Sequence, residues 1–147
     1  MVALDLLKYK PGGEEVLHEE YKAAHDQRLQ QDQWIMDGYG TLDTVWERLE
    51  VADTLVYVDM PILRHYWWVT KRFLKGFLVP PDNWPKNSPI LKGTLNSYYT
   101  VWLCNKKLTP KYREYVNKAQ ESKRVYHLQS PKHMKEFYQA IELELTK

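Results

Sequence analysis

Residues 34–40, WIMDGYG, and residues 52–61, ADTLVYVDMP, are the two stretches that predict the fold. Each contains a short apolar run that ends at an aspartate, Asp37 in the first stretch and Asp59 in the second. Short apolar runs bounded by turn residues are typical of buried strands. We therefore expect two strands, each with an acidic residue at its carboxyl end.

Two further apolar runs, residues 125–128 and 2–7, predict a third and a fourth strand. Helical spacing of apolar residues follows each run, and proline after a capping residue marks the start of two helices. The expected helices cover residues 14–29, 42–49, 61–77 and 90–106, and two more follow Thr109-Pro110 and Ser130-Pro131. Strands that alternate with helices predict an α/β fold with a mostly parallel sheet.

Composition limits the class of protein. The chain has 147 residues, 44% of them hydrophobic and 27% charged, which predicts one globular domain over residues 1–147. A net charge of +2 is too small for binding nucleic acid or anionic membrane over the whole surface. A single cysteine, Cys104, excludes an intramolecular disulfide. The sequence contains neither a long apolar run nor a secretory signal, so we expect a cytoplasmic protein that does not bind membranes.

Acidic residues at strand ends are candidates for chemistry. In a parallel sheet, ligands bind beyond the carboxyl ends of the strands, so Asp37 and Asp59 would share one rim if their strands belong to one sheet. Such an acid can orient a hydrated Mg²⁺ or accept a hydroxyl proton. It can equally cap the next helix or bind solvent. Asp5 invites the same argument more weakly.

Basic residues cluster on the helix that begins near Pro61. Its predicted buried stripe consists of Leu63, Tyr66, Trp67, Thr70, Leu74 and Phe77. The opposite face would carry four cations around an exposed aromatic: Arg64, Trp68, Lys71, Arg72 and Lys75. Such a face can hold a polyphosphate, an RNA strand or a membrane surface, or can simply be solvated.

Together with Arg48 and residues 123–128, the two stretches resemble the adenylate-kinase-like P-loop proteins, including those called topology modulation proteins. The resemblance implies a three-layer, nucleotide-kinase-like fold with a mostly parallel sheet. It also implies ATP and Mg²⁺ as cofactors, and a small phosphate acceptor such as a nucleoside monophosphate as substrate. The expected reaction is ATP-dependent phosphoryl transfer.

The resemblance implies a role for nine residues. Asp37 and Gly38 match the DG motif, whose acid holds Mg²⁺ through water and is catalytic, while Lys71 and Arg72 match catalytic lid cations that neutralise the transferring phosphoryl group. The remaining matches bind ligands: Asp5, Gly38, Arg48 and Lys75 the acceptor, and Ser130 and Pro131 the adenine. Residues 64–89 would form a lid-like segment.

The sequence departs from the family in its phosphate-binding loop. No G-x-x-x-x-G-K-[ST] motif occurs, and Gly12-Gly13 is followed by Glu14 and Glu15, which would repel phosphate. The family's first strand and P-loop are therefore expected to be missing, through truncation, a wrong start site or true loss. That strand lies between the third and fourth strands of such sheets, so its loss would expose two edges or force new pairing.

Two alternatives to a kinase remain open at this point. A non-catalytic protein could bind a partner or a second copy through exposed sheet edges and the rings of Tyr98, Tyr99 and Trp102, although core packing also explains those rings. Arg64, Trp68 and the neighbouring cations could instead bind single-stranded nucleic acid, against which the small net charge argues. The histidines, among them His25 and His127, show no diagnostic spacing for a metal site or carboxylate pair.

Overall fold

The computed structural model describes residues 1–76 and 89–146 as a mixed α/β chain. The strands are β1 (Val2–Ala3), β2 (Met36–Asp37), β3 (Thr54–Val58) and β4 (Arg124–Leu128). The helices are α1 (Leu4–Lys8), α2 (His18–Leu29), α3 (Leu42–Val51), α4 (Ile62–Gly76), α5 (Ile90–Lys107), α6 (Thr109–Ala119) and α7 (Pro131–Leu145). The predicted lid-like segment, 64–89, lies partly outside the described residues.

The four strands pair in parallel, as predicted, but in two separate two-stranded sheets. In one sheet β1 pairs with β2, and Ala3 lies opposite Asp37. In the other, β3 pairs with β4 in a register that sets Thr54 opposite Arg124 and Val58 opposite Leu128. Asp37 and Asp59 therefore follow strands of different sheets, and the expectation that they share the rim of one sheet is not met.

The strand predicted over residues 2–7 is wrong beyond Ala3, because α1 begins at Leu4. In a strand, Leu4 and Leu6 would point to the same face. Instead Leu4 is completely buried while Leu6 is 49% exposed. Asp5 in the first turn and Lys8 in the last have the charges that a helix dipole favours, which is consistent with this short helix.

The contacts divide the chain into two compact units: Met1–Val51 with Thr70–Asn96, and Ala52–Val69 with Ser97–Lys147. The core of the first unit contains Leu4, Tyr21, Val45 and the polar residues His25, Thr44 and Arg48. The core of the second contains Leu55, Met60, Val69, Leu108, Val116, Ala119 and Leu128. Each unit thus buries its own apolar residues around its own pair of strands.

Helix α4 is amphipathic as predicted, but a neighbouring stripe is the one that packs. Leu63, Trp67 and Leu74 from the predicted buried stripe are 76%, 60% and 58% exposed. Tyr66 and Thr70 from that stripe are less accessible, but the two buried residues of α4, Val69 and Gly76, lie on a stripe one residue earlier that also contains Ile62 and Phe73. Both stripes are largely apolar, so the spacing alone does not distinguish them.

Cys104 is half-buried in α5, and burial raises the pKa of its thiol, so this side chain is protonated near neutral pH. Over residues 1–76 and 89–146, no helix combines the length and the apolar character needed to cross a membrane.

Candidate functional site

The loop that follows β2 is the centre of the candidate site. Asp37 is the last residue of β2 and is exposed. Gly38 and Gly40 have φ angles of 110° and 68°, a backbone conformation that other residues rarely adopt. The two glycines turn the chain sharply between β2 and α3, which leaves the Asp37 carboxylate accessible at the carboxyl end of the strand.

Arg48 anchors this loop from α3. Its guanidinium donates to the Gly38 carbonyl oxygen at 3.3 Å, to the Tyr39 carbonyl oxygen, and to Thr44 Oγ1 at 3.3 Å. Only 6% of the residue is exposed. Arg48 therefore satisfies backbone carbonyls inside the first unit, and whether it also faces an acceptor phosphate stays a prediction.

The loop packs tightly against the core of the first unit. Gly40 is buried, and a methyl group added to it would collide with the hydroxyl oxygen of Tyr21 and crowd Leu4 Cδ1 at 3.3 Å. The Tyr21 hydroxyl also lies 3.4 Å from Thr44 Oγ1, in a buried hydrogen bond between α2 and α3. Three elements thus fix the position of the loop.

Electrostatic interactions link three of the predicted site residues. The pKa of Asp5 is raised, chiefly because protein around its carboxylate removes hydration, although the residue keeps solvent access. The positive charges of Arg72 and Lys8 oppose this rise, and the negative charge of Asp37 adds to it. The Asp5 carboxylate in α1 is therefore affected by the charges of Asp37 in β2 and of Arg72 in α4.

The other predicted cations of α4 are exposed, namely Arg64, Lys71 and Lys75. Trp68, which was expected to be an exposed aromatic among them, is half-buried and meets the ring of His65 edge-on at 5.4 Å. The exposed tryptophan of this helix is Trp67. The expectation for Trp68 is wrong because the packing stripe of α4 lies one residue earlier than predicted.

Ser130 and Pro131, the predicted adenine contacts, form the start of α7. Ser130 is the N-cap, and its Oγ accepts a hydrogen bond from the His133 backbone at 3.2 Å. A shallow groove of about 450 Å³ begins at Pro131. All of its lining residues belong to α7, so it is a helix surface: Pro131, Met134, Lys135, Tyr138, Gln139 and Glu142.

Sequence reasoning missed a buried ion pair in the second unit. The Asp59 carboxylate accepts from Arg113 Nε at 2.8 Å and Arg113 Nη2 at 2.9 Å. His127 Nε2 lies 2.9 Å from the same carboxylate, a contact between residues 68 positions apart that no diagnostic spacing indicated. The parallel register of β3 and β4 places His127 opposite Tyr57, two residues before Asp59, and the sequence contains no signal for this register.

The partners of Asp59 determine the ionisation of its carboxylate. Burial raises the pKa of Asp59, but hydrogen bonds from Arg113 and His127 lower it more, so its net pKa lies below the ordinary 3.8. An ionised carboxylate can only accept, and His127 Nε2 therefore carries the proton in this contact. The cluster connects β3, β4 and α6.

Comparison with known proteins gives no match: no family model, no curated protein and no solved structure is similar to this chain.

Proposed function

We propose that the chain acts as an adenylate-kinase-like phosphotransferase component whose first unit binds a small phosphorylated acceptor, such as a nucleoside monophosphate. The observation that carries the proposal is the strand pairing that sets Ala3 opposite Asp37, which brings Asp5 near Asp37 and the charge of Arg72, beside the loop that Arg48 anchors. Four of the residues implied by the family resemblance thus belong to one compact unit, although they are far apart in the sequence.

The charges of this site match those of a phosphorylated acceptor. Arg72 supplies a guanidinium, which binds phosphate oxygens in a bidentate manner. Asp5 and Asp37 supply carboxylates that accept hydrogen bonds from hydroxyl or amino groups. Phosphate at one end of the ligand and hydrogen-bond donors at the other would therefore both find partners.

Strand pairing supports the same proposal. The resemblance matches the family's second strand to Leu4-Asp5, which begin α1 instead, and its last strand to residues 123–128, which contain β4. In the family sheet the first strand lies between the third and fourth. Within the described residues β1 pairs with β2 and β3 with β4, while β2 and β3 do not pair. This division falls at the position where the family sheet has its first strand.

The residues of this chain suit one of the implied cofactors, Mg²⁺, better than the other, ATP. The exposed Asp37 carboxylate at a strand end is suited to hold a hydrated Mg²⁺, which would neutralise charge on a transferring phosphoryl group. For the β- and γ-phosphates of ATP the sequence has no Walker A loop, and Glu14 and Glu15 follow its only Gly-Gly pair. The proposal therefore assigns acceptor binding to this chain and derives no step through ATP.

Calorimetry with the four common nucleoside monophosphates tests acceptor binding. We expect at least one to bind the full chain, and Arg72→Met to weaken it about tenfold, the effect of one lost charge-assisted hydrogen bond. Arg28→Met is the matched control, because Arg28 is an exposed helical arginine of the same unit. No binding by the wild-type chain, or equal losses in the two variants, would contradict the proposal.

A second candidate function, self-association, is favoured by two rings on α5. Tyr99 and Trp102 are 60% and 45% exposed with ring centroids 6.0 Å apart, and Lys106 Nζ lies 5.3 Å from the Trp102 ring. Packing of both rings in the core is the alternative interpretation of the sequence. Exposed aromatic pairs of this kind are typical of interfaces.

Light scattering after size exclusion tests self-association. We expect a dimer that Trp102→Ser dissociates, and a monomer at all concentrations would contradict this second function.

A further inference from the structure

A histidine and two carboxylates that play no part in the candidate site come together between α2 and α3. One ligand atom each from His25, Asp26 and Glu47 can be chosen so that all three lie within 4.8 Å of one another. His25 and Asp26 are neighbours in α2, whereas Glu47 comes from α3. The group therefore joins two helices of the first unit.

His25 is the unusual member of this group. Its side chain is completely buried, its Nδ1 lies 3.0 Å from Asp26 Oδ1, and its Nε2 has no hydrogen-bond partner in the described structure. Of the two ring nitrogens, Nδ1 is the one that faces the Asp26 carboxylate, so it is the nitrogen that could bind a metal ion together with the two carboxylates.

A cation already occupies the outer side of the group. Lys22 Nζ donates to Asp26 Oδ2 at 3.0 Å and lies 3.6 Å from Glu47 Oε2. Lys22, Asp26 and Glu47 keep 45%, 37% and 46% of their side chains exposed, so the lysine can swing into solvent and an ion can enter from that side. The two carboxylates thus have a cation partner that can exchange.

We propose that His25, Asp26 and Glu47 form a binding site for a divalent transition metal of the zinc type, with Lys22 as the internal competitor for the two carboxylates. One imidazole nitrogen and two carboxylate oxygens form a ligand set typical of zinc, whereas Mg²⁺ and Ca²⁺ prefer oxygen ligands alone. Tetrahedral bonds of about 2.1 Å separate ligands by about 3.4 Å, so the half-exposed Glu47 has to move slightly inward. Water would complete the coordination.

Titration of the tag-free full chain with Zn²⁺, followed by calorimetry and by the absorption of Co²⁺ as a substitute, tests the site. We expect one site per chain. Glu47→Gln weakens binding about tenfold or more because it removes a charged ligand. Lys22→Met tightens binding about tenfold, because it removes a positive charge next to the ion.

Matched variants separate this site from general metal binding. Lys118→Met and Glu114→Gln change a helical lysine–glutamate pair of the second unit, and His18→Gln removes the contact of His18 in α2 with Asp43 in α3. We expect all three to leave the Zn²⁺ affinity unchanged. Glu47 is half-exposed, so its variant folds even where substitution of the buried His25 would not.

Three results would overturn the proposal. The wild-type chain could fail to bind Zn²⁺, Glu47→Gln could bind it as tightly as the wild type, or Lys22→Met could leave the affinity unchanged. Binding by the Lys22 variant alone would also overturn it, because the lysine would then block the natural site.

Discussion

A few residues with unusual conformation or burial determine the geometry of the candidate site. Gly40 permits the loop to approach Tyr21, and Arg48 binds the carbonyl groups that the turn leaves without strand partners. Both belong to the sequence stretch between β2 and the end of α3. The accessibility of Asp37 thus depends on residues that need not contact a ligand themselves.

Substitution of Gly40 by alanine should destabilise the protein more than substitution of Gly12. Both glycines have positive φ angles, but only Gly40 has atoms close to an added methyl group. We expect the free energy of unfolding to fall by about 1–2 kcal/mol for Gly12→Ala, from backbone strain alone. Gly40→Ala should add about 1–3 kcal/mol from overpacking.

Urea denaturation of the two glycine variants and the wild type measures this difference. The Gly12 variant is the control for backbone strain, because nothing lies within 4 Å of its added methyl group. Equal losses of stability in the two variants would mean that the loop relaxes away from Tyr21.

At the residue scale, the sequence predicted that Asp37 lies at the end of a strand, but not the contacts around it. The DG pair at residues 37–38 follows a strand, as the resemblance implied. The bonds of Arg48 to the Gly38 and Tyr39 carbonyls were not predicted, because the direction of a long side chain depends on tertiary packing. The Asp59–Arg113 pair was missed because 54 positions separate its members and no local spacing signals it.

The connections between elements depend strongly on ionised side chains. The Asp59 carboxylate links the end of β3 to Arg113 in α6 and to His127 in β4. The carboxylate is nearly inaccessible, with 3% of the side chain exposed, while the Arg113 side chain is 55% exposed. Loss of Arg113 or of His127 would leave the buried Asp59 carboxylate with a single partner.

We expect the stability contributed by Asp59 to depend on pH. Its folded-state pKa lies below the ordinary 3.8, so this contribution is fully present above that value and is lost as the pH falls through the folded-state pKa. The free energy of unfolding between pH 3 and pH 6 should therefore rise more steeply in the wild type than in Asp59→Asn. Urea denaturation of both proteins at several pH values measures this difference in pH dependence.

Asp53→Asn is the control for the pH experiment, because Asp53 is an exposed aspartate next to the same strand. It should keep the wild-type pH dependence. If Asp59→Asn keeps it as well, the Asp59 cluster does not contribute to acid sensitivity.

The start of α7 offers a second prediction about elements. Ser130→Ala removes the N-cap hydrogen bond to His133 and should lower the free energy of unfolding by about 1 kcal/mol. Ser122→Ala, at an exposed turn position before β4, should change it by less than about 0.5 kcal/mol. Thermal or urea unfolding distinguishes them, and equal effects would argue against the cap.

Helices and strands were predicted well where capping or turn residues and the spacing of apolar residues indicate the same boundary. Capping serine and Pro131 marked the start of α7, and the apolar run at residues 55–58 marked β3. The prediction of which face of α4 is buried was wrong because two apolar stripes lie one residue apart on the same helix. Which of two such stripes packs is decided by the neighbouring elements, and a single sequence does not contain that information locally.

At the scale of the whole molecule, parallel pairing was predictable and the number of sheets was not. Short apolar runs between helices predict parallel strands, but they do not predict that β3 buries Leu55 while Val56 and Val58 stay exposed. The choice of partners depends on long-range contacts, and here it gives the pairs β1–β2 and β3–β4. Core residues consequently gather in two units rather than around one central sheet.

We expect the purified 147-residue chain to show little or no ATP turnover. Positioning of the β- and γ-phosphates is most of the chemistry of phosphoryl transfer, and the sequence contains no Walker A motif. A coupled assay of ADP release, with each nucleoside monophosphate as acceptor, measures this turnover. Turnover that Asp37→Ala abolishes would contradict this expectation, while acceptor binding without turnover would agree with the proposed function.

The pairing of β3 with β4 has a consequence for biosynthesis. Thr54 finds its partner Arg124 about 70 positions later, and every pair of this sheet has the same separation. At about 5–20 residues per second, several seconds of translation pass before β4 has been made. During that interval the nascent chain exposes an apolar strand edge, which is the kind of segment that ribosome-associated chaperones protect from aggregation.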